Sequence, residues 1–210
     1  MSSKKPLPVG YDIFEDLIRK NCYYVDKTSL VEYLKEKGGK VNLFTRPRRF
    51  GKTLNMTMLY EFFRIGGNPE LFNGLKISEN KALCEEWQNK FPTIFITLKG
   101  VEGNNFELAR LHLIRLILDT IRSFQDLSNS EKLNDEEKET YKNLKKIEEY
   151  DKEKQNELII TSFKILSELM YKHYGKNTIF IIDEYDVPLD KAENNGYFKE
   201  MISLIRGMFN

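Results

Sequence analysis

Cysteine is scarce in this chain, with only Cys22 and Cys84 among 210 residues. Neither stands in a C-x-x-C pair or near a histidine at ligand spacing, which argues against a disulfide-built or zinc-built scaffold and for reduced thiols in a cytoplasmic protein. A chain of this length buries roughly 70% of its unfolded surface and needs neither support. Excess charge is also missing: 33 Lys+Arg face 32 Asp+Glu, a formal net charge of +1. That balance excludes a globally basic nucleic-acid-coating protein, while leaving room for a local basic patch. No apolar run reaches the roughly 18 residues of a membrane span, and the opening Met-Ser-Ser-Lys-Lys-Pro lacks the apolar core of a signal peptide. The two histidines, His112 and His173, have no matched partner at catalytic spacing and are expected to be structural or surface residues.

What is present alternates between short β-rich runs and long amphipathic stretches. Gly10 to Lys37 predicts a turn and two short helices, the second capped by Asp26 or Thr28 and stopped by Gly38-Gly39. Val41 to Thr45 reads as a buried strand, Arg46 to Thr53 as a loop, and Leu54 to Ile65 as a helix. A connecting region that is helical in parts leads to a second strand, Pro92 to Leu98, and then to a long helix, Phe106 to Phe124. The stretch around 125–157 turns to Asp, Glu, Lys and Asn and reads as a charged helical insertion, a surface excursion. Leu158 to Tyr174 predicts another helix, Thr178 to Glu184 the strongest strand, and Tyr197 to Met208 a last helix. Strands alternating with helices imply an α/β fold with a mainly parallel sheet flanked by helices. Ligands in such folds sit at the carboxyl ends of strands.

Both chemical segments are expected at such ends. Phe50-Gly51-Lys52-Thr53, between strand and helix, has the form of the tail of a phosphate-binding loop. Glycine lets the backbone approach phosphate oxygens, Lys52 can reach the β- and γ-phosphates, and the Thr53 hydroxyl can ligate Mg²⁺ at a helix start that favours anions. Arg46 occupies the place of the first glycine of G-x-x-x-x-G-K-[ST]. The second segment is Ile179 to Glu184, four apolar residues and then two acids. In a P-loop ATPase the first acid holds Mg²⁺ and the second polarises the attacking water. Arg46, Arg48 and Arg49 have several open readings: contacts to phosphate, pairing with Asp183, Glu184 or Asp186, contact with a nucleic-acid backbone, or simple solvation. Asp186 and Asp190 read as loop acids.

Five segments in order resemble the AAA-ATPase-like family of microbial proteins. They are Gly10-x-x-x-Phe14, Tyr23 to Thr28, Thr45 to Leu54, Leu71 to Ile77, and Ile182 to Asp186 with Pro188. The resemblance implies a P-loop NTPase fold, with Arg46 as a family trait. It implies nucleotide contacts from Arg48, Arg49, Phe50, Gly51, Lys52, Thr53 and Leu54, metal binding by Thr53 and Asp183, and Glu184 as the base. ATP and Mg²⁺ are the implied cofactors, and a C-terminal nuclease-type domain is common in such proteins. Residues 1–40 then read as a helical lead-in and 41–210 as an ATPase-like domain ending after the acid-ended strand and its following helix, so the chain is expected to be the N-terminal portion of a longer protein.

The expected activity is ATP binding with Mg²⁺-dependent hydrolysis, weak in this fragment. The alternative is a nucleotide-gated regulatory or nucleic-acid-associated module without efficient hydrolysis. A homo-oligomer and nucleic-acid contacts through the full-length protein are further expectations, and no membrane association is expected.

Overall fold

A computed structural model describes residues 5–45, 47 and 49–209. The chain divides into two compact units, residues 1–93 and 94–210.

The first unit is helical and its core is aromatic. Helices α1 (Phe14–Arg19), α2 (Ser29–Lys37), α3 (Lys52–Phe63) and α4 (Lys81–Trp87) are joined by 3₁₀ turns at Pro69–Phe72 and Lys76–Glu79. Phe14, Phe62 and Phe72 are fully buried, with ring centroids 5.1 Å apart for Phe14–Phe72 and 5.3 Å for Phe62–Phe72. Phe63, Trp87 and Phe91 continue the cluster toward the end of α3. Such edge and tilted contacts add to the area that each ring removes from water.

The end of α3 is held by hydrogen bonds. Asn89, left-handed at φ 57°, donates through Nδ2 to the carbonyls of Glu61 (3.0 Å) and Arg64 (3.1 Å), both at the helix C-terminus. Its own N–H donates to Phe62 O at 2.7 Å, Phe91 N–H to Phe63 O at 3.0 Å, and Ile65 N–H to Phe91 O at 3.0 Å. Gly67 leaves room for the Asn89 amide, since a Cβ there would collide with that amide and lie 2.7 Å from Glu61 O. Gly67→Ala is therefore expected to lower the unfolding free energy by about 1–3 kcal/mol, as overpacking does, measured by urea denaturation.

The second unit carries the sheet. Strands β1 (Thr93–Thr97) and β2 (Ile179–Asp183) pair in parallel. A parallel pair requires a crossover, here α5 (Phe106–Arg122), α6 (Asp135–Leu144) and α7 (Lys152–Tyr174), with α8 (Val187–Asn194) and α9 (Phe198–Met208) following β2. Asn105 caps α5, Asp151 caps α7, and Asn134 with Glu137 forms a capping box on α6. Gly175, left-handed at φ 72°, ends α7. Arg110, 5% exposed, ties α5 to the start of α7 through Asn156 Oδ1 (2.7 Å), Gln155 Oε1 (2.7 Å) and Lys152 O (3.3 Å).

Two expectations are corrected here. The charged stretch is helical, but it is not a surface excursion: Leu127, Leu133, Tyr141, Leu144 and Ile147 are buried in the same core as Ile96, Leu113 and Phe163. Tyr141 is fully buried and its hydroxyl donates to the carbonyls of Ile121 (2.8 Å) and Phe124 (2.9 Å). The other correction is Val41 to Thr45, which forms no strand. Val41 is 89% and Leu43 67% exposed. Asn42 folds its side chain back on Gly39, accepting from its N–H at 3.2 Å and donating to its carbonyl at 2.9 Å. That local bond offers the backbone an alternative to a ladder. Among the described residues, no helix is long and apolar enough to cross a membrane.

Candidate functional site

The phosphate-loop segment is built on the start of α3. Arg49 (φ 67°) and Gly51 (φ 72°) both take left-handed backbone, and Lys52 opens the helix directly after Gly51. A left-handed residue followed by right-handed ones turns successive N–H groups to one side, the arrangement that forms anion-binding concavities. Glycine at 51 adopts this without strain. Among the described residues no side chain caps α3, and no acid lies in its first turn, so the sequence of that turn adds no negative charge to the positive end of the helix. The first intrahelical bond runs from Asn55 N–H to Gly51 O at 3.0 Å. Lys52, Thr53 and Leu54 are half-buried, and Phe50 is 66% exposed. The expected flanks are thus half met: the helix follows the loop, and no strand precedes it among the described residues. Arg46 and Arg48 lie outside the described residues.

The acid pair is built on the end of β2. Asp183 is its last residue, 5% exposed, and its carbonyl accepts from Leu98 N–H at 3.0 Å, which extends the pairing with β1. The Asp183 carboxylate also accepts from the Glu184 N–H at 3.0 Å. Glu184 is half-buried and left-handed at φ 52°. A non-glycine residue in that region is uncommon and marks a constrained turn. The backbone bends out of the strand there, leaving Tyr185 and Asp186 exposed, and Asp186 O receives the N–H of Leu189 (3.1 Å) and Asp190 (3.0 Å) as α8 begins. Asp190 is therefore a helical residue and not a loop acid. Among the described residues, no three His, Cys, Asp or Glu side chains converge to hold a metal. Mg²⁺ needs no such cage when it arrives on a triphosphate, since one or two protein oxygens, phosphate oxygens and water complete its shell.

Three other sequence signatures serve the scaffold. The Asp26 carboxylate accepts from the Thr28 N–H (2.8 Å) and hydroxyl (2.7 Å) with one oxygen and from the Lys76 N–H (2.7 Å) with the other. The fully buried Thr28 hydroxyl accepts from Ile77 N–H at 3.1 Å. Neither side chain caps α2, contrary to expectation; they are committed to the Lys76-Ile77 backbone. Partial burial raises the Asp26 carboxyl, but the Lys76 and Thr28 donors outweigh it and leave the group below its usual range. Two of the five recognition segments thus clamp each other. A third, Gly10 to Phe14, meets α3 where Phe14 N–H donates to Thr57 Oγ1 at 3.0 Å. Thr57 and Asn89 escaped sequence reading; the available signal for Thr57 was its position four residues after Thr53, on the same helix face. His112 and His173 are hydrogen-bonded within the second unit, to Glu102 O and Ser130 Oγ, each at 2.7 Å, and Cys22 and Cys84 are free thiols.

A left-handed glycine ahead of a helix start and a strand ending in a buried acid are the local geometries that these two segments present. The chain belongs to the AAA-ATPase-like family, described as predicted AAA-ATPases, which it matches over residues 8–210. It is also similar to a protein of Azotobacter chroococcum mcd 1 described as an uncharacterized protein in the vnfD 5' region, with 37% identity over 99 residues. The aligned stretch is 47% of this chain and 18% of that protein. No solved structure matches.

Proposed function

We propose that the chain binds ATP with Mg²⁺ and hydrolyses it. Lys52 and the backbone amides at the start of α3 take the phosphates, with Arg49, Phe50, Gly51 and Leu54 as further contacts of the loop and Arg48, outside the described residues, assigned to the same role by the family resemblance. Thr53 and Asp183 supply oxygens to Mg²⁺, which neutralises charge developing on the phosphates. Glu184 accepts the proton of the attacking water. The observation that carries the reading is the left-handed Gly51 leading directly into the helix at Lys52, whose first turn carries no acid. Family membership supports it over a fortuitous G-K-T.

Calorimetric titration with Mg-ATP tests the reading. Wild type is expected to bind, and Lys52→Ala to bind at least thirtyfold more weakly, as expected for losing a charge-assisted contact worth about 2 kcal/mol or more. Equal affinity in both proteins would remove Lys52 from the site. Binding with no multiple turnover would favour a nucleotide-gated module over a hydrolase.

A further inference from the structure

The register of the sheet sets a hydroxyl beside the acid that ends β2. A residue in a parallel ladder bonds to the two neighbours of the residue it faces. Leu98 N–H donates to the Asp183 carbonyl at 3.0 Å, so Asp183 faces Thr97. Both are the last residues of five-residue strands, and the same register sets Thr93 against Ile179 and Phe95 against Ile181. Residues that face each other project from the same side of a sheet, with strands about 5 Å apart. Ile94, Ile96 and Leu98, with Phe180 and Ile182, pack into the apolar core of the second unit. Thr97 and Asp183 therefore stand together on the other side, at the carboxyl ends of their strands.

Asp183 is 5% exposed, whereas Thr97 is open to solvent. The Thr97 hydroxyl accepts from Lys99 N–H at 3.4 Å. A hydroxyl has two acceptor sites and one proton, so one lone pair and the proton remain to be used. Mg²⁺ dehydrates reluctantly and keeps several waters, and groups that fix such an outer shell tune how tightly the ion is held. We propose that Thr97 is a positioning residue for the Mg²⁺ of the bound nucleotide, its hydroxyl and the Asp183 carboxylate together holding a water of the ion's shell. The hydroxyl accepts from that water and donates to the carboxylate, and an apolar side chain at 97 can do neither. The assignment rests on the reading of Asp183 as the acid on the metal side.

Calorimetric titration of ATP in saturating Mg²⁺ and again in EDTA tests it, the ratio of the two affinities giving the contribution of the metal. Thr97→Val is close in shape and suited to a strand. It is expected to lower that ratio about tenfold, the lower end of the range for outer-shell partners, and to leave the affinity in EDTA within twofold. Thr97→Ser keeps the hydroxyl and is expected to restore the ratio, and Asp183→Asn to lower it at least as far as Thr97→Val. Thr97 is exposed at a strand end, so circular dichroism of its variants is expected to match wild type. A wild-type ratio in Thr97→Val, an equal loss with and without Mg²⁺, or no restoration by serine overturns the role of Thr97 while Asp183 keeps its own. A wild-type ratio in Asp183→Asn, or wild-type affinity that does not depend on Mg²⁺, overturns the metal reading of Asp183 and that of Thr97 with it.

Discussion

Glu184→Gln is expected to bind Mg-ATP within about threefold of wild type while turning it over some 10² to 10⁴ times more slowly, the range supplied by one general base. The substitution keeps the shape of the side chain and its capacity to hydrogen-bond water, but removes the lone-pair charge that takes the proton. The backbone N–H that bonds the Asp183 carboxylate at 3.0 Å is retained, so the turn at φ 52° is not disturbed. Steady-state phosphate release alongside calorimetry makes the distinction. A variant that hydrolyses at the wild-type rate assigns the proton to another group, and a variant that no longer binds shows that the glutamate supports the site and not the chemistry.

Tyr141→Ala is the largest stability change expected outside the aromatic core of the first unit. A fully buried ring leaves a cavity and loses its transfer free energy, about 3–5 kcal/mol together. Tyr141→Phe keeps the ring and forfeits the hydroxyl that Ile121 O and Phe124 O share, about 1–2 kcal/mol. Urea denaturation of the two variants separates packing from hydrogen bonding. A true surface excursion would give both variants changes within about 0.5 kcal/mol.

That residue also shows where sequence reading stops. Ile94 to Thr97 and Ile179 to Ile182 were legible because compact β-branched runs survive without context, and Phe106 to Arg122 because its apolar residues recur with the helical period. Between Gln125 and Asp151 the buried residues are sparse and unevenly spaced among acids and lysines, so composition reports solvent while one side chain per turn reports the core. Helix α8 was missed for a related reason: Pro188, a poor residue in a helix interior, sits in its first turn, where no N–H is needed. Val41 to Thr45 erred the other way. Strand propensity describes side chains suited to a pleated, half-buried surface, and here Asn42 takes the local alternative. At the candidate site, the chemical identities of Lys52, Thr53, Asp183 and Glu184 were legible, but the left-handed backbone of Arg49 and Glu184 was not. Neither residue type announces positive φ as glycine does at 51.

The amide of Asn89 and the three backbone bonds around it act on α3 as a key acts on a shaft. Apolar packing alone would let a helix roll about its axis with little change in contact area, whereas directional bonds to the carbonyls of Glu61, Phe62, Phe63 and Arg64 permit one azimuth. The N–H groups of the first turn and the Thr53 side chain leave the far end of the same rod, so their bearing is set before any ligand arrives. If Lys52 takes phosphate as proposed, binding there carries little cost of reorganisation, even though the residues responsible stand at the opposite end of the helix.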